Sequence, residues 1–89
     1  MTTPAAARVP EHTWRRLTEY ATAVVGSATM GEQLTASQGM LEQATVIRWR
    51  LVLDASSKGM SLAEIGRALN MSPEGARKLR LTAARELER

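Results

Sequence analysis

Two helix starts lying eleven residues apart constrain this chain more than any other feature. Ser61 with Glu64 three positions on forms a capping box, in which each residue satisfies a backbone N–H the other leaves open. Ser72 followed by Pro73 is a second start, because serine caps a helix and proline suits its first position. Leu62, Ile65 and Leu69 recur at helical spacing among the small residues Ala63, Gly66 and Ala68. Asn70 stands where the first helix must end, and asparagine tolerates the left-handed backbone such a stop requires. Met71 is an apolar plug for the turn, and Ala76 and Leu79 fall on the inner side of the second helix. The stretch 61–80 thus reads as helix, short turn, helix.

That pattern resembles the helix-turn-helix of bacterial and phage repressors and of sigma-factor region four. Ile65 and Leu69 match the buried positions of the family's first helix, and Gly66 matches the small residue where its helices touch. Met71, Ala76 and Leu79 match its apolar sites in the turn and second helix. Asn70 stands where the family often has glycine, and Arg80 where region four often has leucine. The resemblance implies a double-stranded DNA partner, with the helix from Pro73 entering the major groove.

Charge agrees with that location. Residues 1–57 carry five basic and five acidic side chains, whereas residues 58–89 carry seven and four, so the whole net charge of +3 lies in the final third. Such a bias marks the side where nucleic acid is expected, although a solvated helix face carries similar charge. Arginine outnumbers lysine ten to two, as in GC-rich bacterial or phage genes. No cysteine means no disulfide framework and no thiolate metal site. No run of about 20 apolar residues occurs, so no membrane span is expected. The start of the chain lacks a signal-peptide core, and the expected location is the cytoplasm, on the nucleoid.

The fold class expected is all-α: four helices at roughly 11–25, 36–57, 61–69 and 73–87, in one domain over 10–89 after a flexible arm at 1–9. Pro10 and Glu11 suit a helix start. Trp14, Leu17, Ala21, Val24 and Val25 then share a stripe ending near Gly26. Residues 26–34 read as a loop, and Thr35 with Gln38 as the cap of the next helix. The apolar residues of that helix, from Met40 through Leu53, cover more than one face, which predicts burial on most sides. Gly59 ends it, with Met60 tucked inward. Trp14, Leu17 and Trp49 are candidates for a homodimer interface, and packing in the core is the other role open to both tryptophans.

With Ala76, Leu79 and Ala83 inward, Pro73, Glu74, Arg77, Lys78 and Leu81 project outward, and Arg80 is intermediate. Arg77 is the first choice for a base contact, since a guanidinium can bond both acceptors on a guanine edge. Glu74 either accepts from a cytosine amine or repels phosphates. Lys78, Arg80, Arg85 and Arg67 suit phosphates, as do Ser72 and the helix N-terminus behind it. Gly75 permits close approach of a base, or tight packing on the first helix. Nothing suggests an enzyme, a cofactor or a metal: His12 is alone, and no P-loop, GxGxxG or HExxH pattern occurs. Two functional classes follow: a dimeric DNA-reading repressor, and a protein-interaction module binding RNA polymerase, a sigma factor or a phage partner.

Overall fold

A computed structural model describes residues 9–26 and 29–88. They form α1 (Glu11–Gly26), α2 (Met30–Ser57), α3 (Leu62–Leu69) and α4 (Pro73–Leu87), with no strand among the described residues. The class is all-α. Two compact units divide these residues within α2, at Val9–Ile47 and at 48–88. Of the expected arm, residues 1–8 lie outside the described residues, and Val9 is buried.

In the unit 48–88, every boundary has a local cause. Serine 61 closes the capping box: its hydroxyl accepts from Glu64 N–H at 3.1 Å, and its own N–H donates to Glu64 Oε1 at 3.0 Å. The bond from the Ser61 backbone, then that with its side chain, holds the Glu64 carboxyl below its ordinary value of 4.5. A carboxyl lowered on folding stabilises fully above its unfolded value, and that contribution disappears as pH falls through the folded one. Thermal melts between about pH 3 and pH 6 should therefore show Glu64→Gln flattening the acid limb of the stability curve. An unchanged acid limb would mean the charge on Glu64 adds nothing to the cap.

Both turns of this unit are built alike. Gly59 takes φ +91°, Gly59 N–H donates to Ser56 O at 3.1 Å, and Met60 N–H donates to Ala55 O at 3.0 Å. Asn70 takes φ 58° and ψ 46°, its N–H donates to Arg67 O at 3.3 Å, and Met71 N–H donates to Gly66 O at 2.8 Å. Each pair of bonds is a Schellman closure, which satisfies carbonyls the helix end leaves open. Met60 does not tuck inward; it is 39% exposed, since its backbone rather than its side chain completes the turn.

Val52 from α2, Ile65 from α3 and Ala76 from α4 make the buried core of this unit. Ala55, Leu62, Leu69, Met71 and Leu79 pack around them. Three helices thus share one small apolar centre, assembled from the positions whose spacing predicted it.

The unit Val9–Ile47 departs further from expectation. Helix α2 begins at Met30, not near Ala36, and Thr29 supplies its cap. Glu32 N–H donates to Thr29 Oγ1 at 3.1 Å, and the hydroxyl donates to Glu32 Oε1 at 2.8 Å. Thr29-x-x-Glu32 is itself a cap pattern, and Gly31 in the first turn disguised it as loop. Thr35 and Gln38 lie inside the helix, where Gln38 Nε2 donates to Glu42 Oε1 at 3.3 Å. Nor is α2 buried on most sides, because Leu34, Leu41 and Leu51 are exposed. A 28-residue helix presents more apolar faces than the described residues cover.

On α1 the expected stripe holds at Leu17, Ala21 and Val24 and fails at its edges, where Thr13 and Tyr20 take the places expected for Trp14 and Val25. Thr13 is buried and Leu17, Tyr20, Ala21 and Val24 are half-buried, while Trp14 is 46% and Val25 87% exposed. Gln33 Nε2 donates to Val24 O at 3.0 Å, tying α2 to the end of α1. Further along, Gly39 faces the Tyr20 ring, and a Cβ there would stand 2.6 Å from Tyr20 Cζ. That contact accounts for a glycine in mid-helix, which by itself costs about 0.5–1 kcal/mol relative to alanine. Gly39→Ala should lower the melting temperature despite better helix propensity, by an overpacking cost of about 1–3 kcal/mol. A higher melting temperature would show that Tyr20 moves aside freely.

Candidate nucleic-acid interface

Helix α4 is positioned by its N-terminus. Ser72 is extended (φ −71°, ψ 162°), and its Oγ accepts from Gly75 N–H at 3.0 Å. The hydroxyl hydrogen remains available to a ligand; Pro73 has no N–H, Gly75 gives its own to Ser72, and that of Glu74 points beyond the helix end. Ala76 and Ala83 are fully buried, which turns Glu74, Arg77, Lys78, Leu81 and Arg85 outward, all exposed. Pro73 is exposed as well. Pro73, Glu74, Arg77, Lys78 and Leu81 are the outward set expected from the sequence, and Arg85 joins them.

The charges on that face are not equally free. Arg77 Nε donates to Glu74 Oε2 at 2.9 Å and Nη2 to Glu74 Oε1 at 2.6 Å, a two-bond ion pair across one helical turn. The hydrogen bonds from Arg77 lower the Glu74 carboxyl, and those to Glu74 raise the Arg77 guanidinium, so both stay charged at neutral pH. Lys78 makes no ion pair among the described residues. Arg85 Nε lies 3.8 Å from Glu86 Oε1, a loose contact that leaves its side chain 66% exposed.

Arg80 is half-buried and turned toward α2, where Nη1 donates to Ser56 Oγ at 3.4 Å. Arg67 is exposed on α3 and favours ionised Glu64 one turn earlier. The structure therefore gathers Ser72, Pro73, Glu74, Arg77, Lys78 and Arg85 on one face of α4, and leaves Arg67 on α3 and Arg80 toward Ser56. The role of Ser56 was not foreseen, and its spacing from Arg80 carried no signal for it.

The two glycines of this region differ. A Cβ at Gly66 would meet Met71 O at 2.5 Å and Ser72 O at 3.1 Å, so α3 touches the turn through bare backbone. At Gly75 the nearest atoms are Ser72 Oγ at 3.4 Å and Met71 Cβ at 3.5 Å, ordinary contact. Tight packing explains Gly66 and not Gly75.

Of the expected dimer residues, Trp14 is exposed, Leu17 half-buried and Trp49 half-buried. On α2, Asp54 Oδ2 accepts from Lys58 Nζ at 3.1 Å, while Asp54 Oδ1 and Arg50 Nε, one turn apart, are buried without hydrogen-bond partners. No metal-binding cluster of acidic, histidine or cysteine side chains occurs among the described residues. No helix among them is long and apolar enough to cross a membrane. Comparison with protein-family models, with curated proteins and with solved structures finds no match to this chain.

Proposed function

We propose that α3, its turn and α4 act as a helix-turn-helix that reads double-stranded DNA, with the N-terminal half of α4 in the major groove. The observation that carries this reading is the single exposed face of α4. It combines a capped N-terminus at Ser72 with Arg77, Lys78 and Arg85, above a core that fixes its orientation. Arg77 is the base reader in this account. Lys78, Arg85 and Arg67 bind phosphates, and Arg80 joins them by leaving its long bond to Ser56.

The active species in this proposal is a homodimer. A single helical module buries little DNA surface, and two recognition helices one turn of DNA apart raise affinity and specificity together. Trp14, Val25, Met30, Leu34 and Leu41, all exposed in the unit Val9–Ile47, support an apolar contact between copies. With no effector site proposed, repression follows from occupying a promoter, on the nucleoid in the cytoplasm. The other reading, a module that docks on RNA polymerase, a sigma factor or a phage partner, draws support from exposed Leu51 and Leu81 in the unit 48–88.

A salt titration of duplex-DNA affinity separates the two. Each neutralised phosphate contributes a slope of about 0.9 in log affinity against log salt. Four basic contacts per subunit predict a steep fall. Absence of binding to duplex DNA at low salt would transfer the proposal to the interaction module.

A further inference from the structure

We propose that Glu74 is a positioning residue for Arg77: its carboxylate grips one edge of the guanidinium so that the other edge is presented to guanine. This rests on the DNA-reading role proposed above.

An arginine side chain carries five N–H donors, one on Nε and two on each terminal nitrogen. Glu74 takes the Nε hydrogen at 2.9 Å and one Nη2 hydrogen at 2.6 Å. What remains free is the outer edge, both Nη1 hydrogens and the second on Nη2. That edge offers two parallel donors, which the O6 and N7 acceptors of guanine require. The carboxylate therefore removes the side-on mode of binding and leaves the end-on mode.

The placement holds from both ends. Glu74 lies in the first turn of α4, where the helix dipole favours a negative charge, and Arg77 lies one turn further on the same outward face. In the free protein the pair is exposed, with 58% of the Glu74 side chain and 44% of the Arg77 side chain open to water, so its hold is weak. Excluding water in a groove strengthens it at the moment it matters. Even a weak grip biases the side chain toward the docking geometry, which removes part of the ordering cost of the contact.

Other roles for Glu74 fit less well. A reader of cytosine needs carboxylate oxygens aimed at the base, and both are engaged by Arg77. A repeller of phosphates needs net negative charge, which the paired guanidinium cancels.

The test is selection of binding sites from random duplex DNA, run in parallel with wild type, Glu74→Ala, Glu74→Gln and Arg77→Ala, each checked for helix content by circular dichroism. Wild type enriches a motif, and Arg77→Ala loses preference at one guanine position of it. Glu74→Ala retains the rest of the motif and loses roughly threefold to tenfold in preference at that same position, the size expected from freeing one long side chain. Glu74→Gln, which keeps one acceptor, falls between, and it replaces the alanine variant if that one does not fold. Unchanged guanine preference in the Glu74 variants overturns the proposal, and so does loss at a different base pair, which would make Glu74 a reader itself. No motif from wild type removes the DNA-reading account, and the positioning role with it. A second readout needs no DNA. The Arg77 Nε resonance of the free protein should shift as Glu74 titrates below 4.5, and a resonance indifferent to that titration contradicts the grip.

Discussion

Gly66→Ala destabilises the unit 48–88, whereas Gly75→Ala leaves it as stable as before or slightly more so. The two substitutions add the same methyl group to helices of the same unit, and they differ in what that methyl meets. At Gly66 it meets the Met71 carbonyl oxygen at 2.5 Å and the Ser72 carbonyl at 3.1 Å. These are backbone atoms, and the Gly66 carbonyl itself accepts from Met71 N–H at 2.8 Å, so α3 cannot yield without opening its own terminal turn. Overpacking of this kind costs about 1–3 kcal/mol, and the rigidity of the neighbours puts Gly66 near the upper end. The return from helix propensity is only about 0.5–1 kcal/mol. At Gly75 the contacts are ordinary and the propensity gain stands alone. Urea or thermal melts of both variants decide the matter, and equal midpoints would contradict the close approach at Gly66.

Arg77→Ala should weaken binding to a preferred DNA sequence by about tenfold to a hundredfold and binding to random DNA far less. The asymmetry follows from geometry: the free edge of Arg77 suits base acceptors, and its charge is already offset by Glu74. Lys78→Ala should do the reverse. Its ammonium has no ion pair among the described residues, so removing it weakens all sequences alike and lowers the salt slope by about 1. Paired affinity measurements on selected and scrambled duplexes separate the roles. Equal losses on both duplexes would remove Arg77 as a base reader.

How much of this was legible in the sequence depended on how local the cause was. The boundaries of α3 and α4 follow from Ser61, Glu64, Asn70, Ser72 and Pro73, whose effects reach only a few residues, and the structure matches them. The outward face of α4 was legible too, because helical periodicity fixes it once Ala76 and Ala83 are inside. The start of α2 was misread because Gly26, Gly31 and the small polar residues around them read as loop, which hid the cap at Thr29. The burial of α2 was misread because apolar content states what a helix can cover, not what the chain has to cover it with. Least legible were contacts fixed by side-chain direction: the Glu74 grip on Arg77, the Arg80 bond to Ser56, and Gly39 beneath Tyr20. Spacing permitted the first of these, and three-dimensional packing alone reveals the other two.

Contact between the outward face of α4 and DNA is read by mapping backbone amide resonances as duplex DNA is added. The largest shifts are expected at Ser72 and at Glu74 through Lys78, with smaller ones at Arg67 and Arg85. Shifts confined to residues 11–47, or none at low salt, would contradict that contact.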